Sequence, residues 1–270
     1  SMQGRRVGTA GGMAARAYII AQLQACGVRP AGTSGFEQPL TPFVGANVLG
    51  RIEGTDAVLK NRVVILSAHY DHIGECGGQI CNGANDNAAA VAAIIGVGCA
   101  FASAPTPRSI EIISWDAEEP PTFLTNAMGS QFYVMQPVFP LAQVDVAVVV
   151  DLFGTNLWPG YQGTFLLGAE TSDAVAAAVA PTIARVTQFE PMRAALTMGE
   201  ETAYGHQAWS DYDAFRNRNI PVLFLSDGQN RRYHRVTDEV SALDLNKLGL
   251  QANMLVDLLW RLGNAQQTPV

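Results

Sequence analysis

Five side chains of the kinds that hold borderline divalent cations stand where apolar runs end or begin: His69, Asp86, Glu119, Asp151 and His234. His69 and Asp71 close the run VVILSAHYD, and Asp116, Glu118 and Glu119 follow IEIISW. Asp151 closes VAVVVD, His234 lies in the loop after VLFLSD, and Asp86 sits in GANDN just before an Ala-rich stretch. A lone histidine at a strand end is ordinarily a structural group, because imidazole satisfies buried partners readily. Histidines and carboxylates from four strand ends are harder to explain that way. The carboxylates outnumber the nearby cations and would repel one another without a metal. Two histidines and three carboxylates are the number and type that a pair of divalent ions needs if one carboxylate is shared.

The elements that must position these residues follow from periodicity. An amphipathic helix is expected over residues 10–26, with Ala14, Tyr18, Ile19 and Leu23 on one face, followed by an extended segment around Asn47-Val48-Leu49. Strands are expected at 62–68, 110–115, 145–150, 163–168 and 221–226, and helices at 87–102, 127–135, 171–187, 207–218 and 242–262. Nearly continuous apolar strands alternating with helices predict an α/β fold: one domain over 1–270, with a mostly parallel sheet between two helical layers. Ligands in such sheets bind beyond the carboxyl ends of the strands, where the five residues lie.

With 270 residues, 48% of them hydrophobic and 15% charged, the chain can bury a large core as a single domain. A net charge of -7 without a basic stripe argues against nucleic acid or an anionic membrane as partner. Ala88 to Ala104 carries no charge, but it is short and rich in Ala and Gly, so a buried helix is expected rather than a membrane span. Ser1-Met2-Gln3 show neither an apolar leader region nor a cleavage site. Of the four cysteines, Cys76 and Cys81 bracket the flexible loop CGGQIC and suit a local disulfide, whereas Cys26 and Cys99 fall in apolar helical patterns. Such a clip points to a secreted or periplasmic protein. The sequence has no G-x-S-x-G nucleophile elbow, and Gly96-Val97-Gly98 does not open a helix after a strand as a dinucleotide fingerprint would. Trp115 and Trp209 are read as packing residues.

Taken in order, SAHYDHIG, NGANDNAAA, WDAEE, VVVDLFG, SDYDAF and RYHRVTDE resemble the motifs of the M28 zinc aminopeptidases, and the segment from Gly4 to Gly32 resembles their first helix. The resemblance implies a three-layer zinc-exopeptidase fold acting on peptides with a free N-terminus. It implies two zinc ions per chain, one held by His69 and Asp151, the other by Glu119 and His234, with Asp86 shared. It further implies Glu118 as general base, Tyr233 as donor to the developing oxyanion, and Asp71 as a carboxylate that orients His69. His72 and His206 fall outside the family's metal shell and are expected to lie behind the ligands or at the surface.

The chain also departs from the pattern. After Glu119 it reads PPTFLTNAMGS, a longer link that resembles the glutaminyl cyclase branch, which shares the fold but usually binds one zinc; VDVAVVVDLFG leans the same way. Tyr233 and Phe224 stand where the cyclases tend to carry tryptophan and histidine, and GANDN is the peptidase form. The expected activity is therefore aminopeptidase, with N-terminal glutamine cyclisation as the alternative and a catalytically silent binding module as a third reading. Apolar Phe123, Leu124, Phe153, Leu157 and Trp158 suggest an apolar first residue in the substrate.

Overall fold

The computed structural model describes residues 2–160, 163–186 and 208–265. The expectations that touch 187–207, including the loop 190–206 and His206, lie outside the described residues. The strands are β1 (Arg29–Pro30), β2 (Glu37–Pro39), β3 (Ala46–Ile52), β4 (Val63–His69), β5 (Glu75–Cys76), β6 (Gln79–Ile80), β7 (Ser109–Trp115), β8 (Val144–Asp151), β9 (Phe165–Leu167) and β10 (Val222–Ser226). The helices are α1 (Ala10–Ala25), α2 (Ala89–Ser103), α3 (Gly129–Met135), α4 (Asp173–Val186), α5 (Tyr212–Arg216) and α6 (Leu245–Asn264).

The main sheet runs β1-β3-β7-β4-β8-β10-β9, with β2 also paired to β3. Its four central strands, β7-β4-β8-β10, are mutually parallel. Both flanks are antiparallel, so the sheet is mixed around a parallel centre. Both faces of the centre are covered, which is why its strands are buried at every position and apolar at most of them rather than at alternate ones. Even-numbered Val64, Leu66, Ile112, Val146, Val148 and Val150 face α1, α2, α4 and α6. Odd-numbered Val63, Ile65, Ile113, Trp115, Ala147 and Val149 face α3 and α5. This is the period of two that a pleated strand imposes.

Local chemistry sets the helix ends. The Thr9 hydroxyl accepts from the N–H of Gly12 and starts α1, and Asp244 accepts from the N–H of Lys247 at 3.0 Å and starts α6. The expected helix 87–102 begins later, at Ala89, because Asp86 and Asn87 leave helical geometry. Within the described part of the expected helix 207–218, only α5 is helical; beyond it Asn219 turns at φ 57 and Pro221 leads into β10. By length and composition Ala84–Ser103 could cross a membrane, yet most of it is buried as the core helix predicted.

The Cys76–Cys81 bridge forms across the β5-β6 hairpin. A second bridge, Cys26–Cys99, ties the end of α1 to α2 and leaves no free cysteine among the described residues. The helical patterns around Cys26 and Cys99 hid this pairing, because they say nothing of which helices cross. Closing a loop of 73 residues restricts the unfolded chain by about 4 kcal/mol on the loop-entropy estimate.

Candidate metal centre

Parallel pairing aligns the carboxyl ends of β4 and β8, and this brings His69 beside Asp151, Nε2 to Oδ1 at 3.4 Å. Asp86 closes the group, its Oδ1 3.4 Å from His69 Nε2. His69 Nδ1 donates to the backbone carbonyl of Asp71 at 3.3 Å, which turns the Nε2 lone pair toward the two carboxylates.

The other oxygen of Asp86 faces a second group. Its Oδ2 lies 3.2 Å from His234 Nε2, which in turn lies 3.0 Å from Glu119 Oε2. His234 belongs to the loop after β10, while Glu119 follows β7. Thus Asp86 stands between a His69/Asp151 set and a His72/Glu119/His234 set, each of which could hold a metal ion. Asp86 Oδ2, Asp151 Oδ1 and His234 Nε2 are shielded from solvent and make no hydrogen bond among the described residues. Buried polar atoms left unpaired are costly, and lone pairs converging at 3.2 and 3.4 Å suit a shared cation. The donor set therefore fits divalent metal.

Asp71 supports the centre differently from the sequence expectation. Its carboxylate is 3.6 Å from His69 Nδ1, and it instead accepts from the backbone N–H groups of both Glu118 and Glu119 at 3.1 Å. Two buried N–H donors in the turn that carries the glutamates claim the carboxylate, and the imidazole settles on the carbonyl. Asp116 is likewise structural: it accepts from the Tyr70 hydroxyl at 2.6 Å and the N–H of Ala46 at 3.0 Å. Asp238, which the motif reading passed over, accepts from the N–H groups of Asn85 and Asp86 at 2.8 and 3.0 Å and so presents Asp86.

Arg5 is the other residue that sequence reasoning missed. It is buried and donates to the carbonyls of Tyr70, Asn82, Gly83 and Asp86, clamping the loop between His69 and Asp86. No periodicity or motif spacing marks such a residue, because its partners are backbone carbonyls.

Electrostatics follow from burying so many charges together. Burial works against the charge on Asp86, but the neighbouring His234 and His69 imidazoles overcome it and hold its carboxyl far below the usual range. Burial lowers the His234 pKa, yet Asp86 and Glu119 outweigh it and raise it to about 10. Glu118 is pushed well above the ordinary carboxylate range, first by burial and, against His69, by the like charges of Asp211, Asp151 and Glu119.

Residues 47–259 match the family model described as Peptidase family M28. The chain belongs to peptidase family M28. Among solved structures this M28 chain is similar to the LapA aminopeptidase of Legionella pneumophila, with a TM-score of 0.75 and 18% identity over 99% of this chain and 69% of that one. It is also similar to a Zn-dependent exopeptidase from Parabacteroides distasonis, with a TM-score of 0.68 and 16% identity over 98% of this chain and 94% of the other. Identities this low speak for the fold alone. The curated relative YfbL of Escherichia coli (strain K12), described as uncharacterized, is 21% identical over 217 residues; the match takes in 73% of this chain and 66% of YfbL, just under two thirds of its length.

In this member of family M28 a cavity of about 600 Å³ opens onto the candidate metal ligands. His69, Asp86, Glu118, Glu119 and Asp151 lie on one side, and Phe123, Leu157, Phe165, Leu167 and Phe224 form an apolar wall. Of the residues expected to shape it, Phe123 and Leu157 do so, whereas Phe153 and Leu124 pack into the core and Trp158 is largely exposed. Trp115 is a core residue as expected, but Trp209 lines the cavity rather than packing away from it. Tyr233 also lines the cavity, its ring stacked on His234 with centroids 3.9 Å apart.

Proposed function

We propose that the chain is a zinc-dependent aminopeptidase that removes the first residue of peptides. His69 and Asp151 hold one zinc, Glu119 and His234 the second, and Asp86 serves both. The observation that carries this reading is the position of Asp86, whose two oxygens each face a different histidine at 3.4 and 3.2 Å. A zinc-dependent relative of the same fold supports the choice of metal.

Bound zinc supplies Lewis acidity toward the scissile carbonyl and toward a water. Glu118 takes the proton of the attacking water and returns it to the leaving amine, a role its buried place on the cavity wall beside His69 supports. Tyr233, held by its stack on His234, donates to the oxygen on which charge develops. Asp71 keeps Glu118 and Glu119 in register through their backbone N–H groups. The apolar wall of Phe123, Leu157, Phe165 and Phe224 supports an apolar first residue in the substrate. Two disulfides support a secreted or periplasmic location.

One observation favours the cyclase reading: Pro120 and Phe123, from the longer link after Glu119, help to line the cavity. Metal content of protein purified without chelator separates the two. Two zinc per chain, both diminished in Asp86→Ala, is the peptidase result; a single zinc is the cyclase result; an Asp86→Ala protein that kept two zinc would remove Asp86 from the centre.

A further inference from the structure

His72 groups with Asp86, Glu119 and His234 around the second site but is not among the ligands proposed above, and it is as buried as any residue in the centre, at 0% exposure. Its Nδ1 lies 2.8 Å from Glu119 Oε1, while the other oxygen of that carboxylate, Oε2, faces His234 Nε2 at 3.0 Å. The ring stands edge-on to His234, with centroids 5.6 Å apart. Its other flank is closed by Gly83, where a Cβ would fall 2.5 Å from His72 Cγ and 2.2 Å from the carbonyl of Asp86. Only glycine fits there, so the imidazole is locked against the turn that presents Asp86.

We infer that His72 is a positioning residue for the second metal: its Nδ1–H holds Glu119 Oε1, so that the carboxylate offers the metal Oε2 alone. The inference rests on the two-zinc reading above. A glutamate free to swing can bind through both oxygens and fill the coordination position that a catalytic site must keep open for water or substrate. A donor on Oε1 prevents this. Outer partners of this kind typically contribute 10- to 100-fold in metal affinity. The 3.6 Å from His72 Nδ1 to Asp86 Oδ2 is too long for a hydrogen bond, so Glu119 is its partner.

The test compares His72→Ala, His72→Asn and His72→Gln with the parent protein. Asparagine places an amide N–H close to the position of Nδ1, whereas glutamine places it nearer to Nε2. Zinc affinity is measured at both sites by competition with a chromophoric chelator, and the visible spectrum is recorded after cobalt substitution. Alanine and glutamine should weaken the second zinc by about 10- to 100-fold and leave the first within a few-fold. Asparagine should restore the second zinc to within a few-fold of the parent and keep the parent cobalt spectrum. Equal second-site affinity in all four proteins would overturn the inference. So would a cobalt spectrum in His72→Asn that shows loss of a nitrogen ligand, since His72 would then bind the metal itself. A parent protein that takes up fewer than two zinc fails the two-zinc reading before His72 is tested at all.

Discussion

His69 and Asp151, the last residues of two neighbouring parallel strands, meet with Nε2 3.4 Å from Oδ1. The register of β4 on β8 brings the two residues side by side, the Asp71 carbonyl turns the imidazole, and both side chains are buried. Asp151→Asn keeps the size of the side chain but removes the charge that balances a cation. We expect it to lose most of the zinc at the His69 site and to keep the zinc at the His234 site, as read by metal analysis after dialysis. Loss of both ions in equal measure would mean that the sites do not divide as assigned.

Glu118 and Glu119 are adjacent, and both N–H groups are held by Asp71, yet the proposed mechanism gives them different jobs. Glu118→Gln should keep both metals and its affinity for a competitive inhibitor while losing at least about a hundredfold in kcat, the usual scale for removing a general base. Glu119→Gln should lose zinc. If Glu118→Gln turns over normally and Glu119→Gln keeps its metal but is inactive, the two roles are exchanged.

Much of this arrangement is legible in the amino-acid sequence, and the reasons are physical. The ligands stand where β-branched apolar runs give way to polar residues, and in a parallel sheet those ends share one edge. The role of His72 is not legible there, because its partner Glu119 is 47 residues away and only the turn at Gly83 packs the ring toward it. Arg5 is invisible for another reason: a side chain that binds carbonyls leaves no pattern in the partner sequence. The edge strands β1 and β2 escape notice because two and three residues are too few for a period to show, and the strand expected at 163–168, seen as β9, carries no mark of its antiparallel pairing.

Arg5 offers a direct check on how the Asp86 loop is held. Arg5→Met leaves the buried carbonyls of Tyr70, Gly83 and Asp86 without their donor, at about 1–3 kcal/mol for each group that finds no substitute. Thermal unfolding of the zinc-loaded protein should show a clear loss of stability, with Arg5→Lys in between, and zinc should be released at lower chelator concentration. A variant as stable and as metal-tight as the parent would show that the clamp is incidental.

The wall of the cavity has its own support. Lys247 Nζ lies 3.0 Å from Asp227 Oδ1 and donates to the carbonyl of Thr155 at 2.7 Å; Asp227 also accepts from the Thr164 hydroxyl at 2.8 Å. Burial pushes the Asp227 carboxyl up, and Lys247 opposes it. Removing one partner of such a pair costs about 3–5 kcal/mol. Because Thr155 and Thr164 flank Leu157 and Phe165, Lys247→Met should raise KM for substrates with an apolar first residue more than it lowers kcat. A change confined to kcat would place the network in the chemistry instead.

The most direct measurement uses one pair of peptides of identical sequence beginning with leucine, one with a free amino terminus and one acetylated, with a glutamine-initiated peptide beside them, each incubated with the zinc-loaded protein and followed by mass spectrometry. The expected result is stepwise loss of single residues from the free end, no cleavage of the acetylated peptide, and no turnover of either after zinc is removed. Cleavage at internal bonds, equal digestion of both peptides, or inertness toward both alongside loss of the mass of ammonia from a glutamine-initiated peptide, the mark of cyclisation, would contradict it.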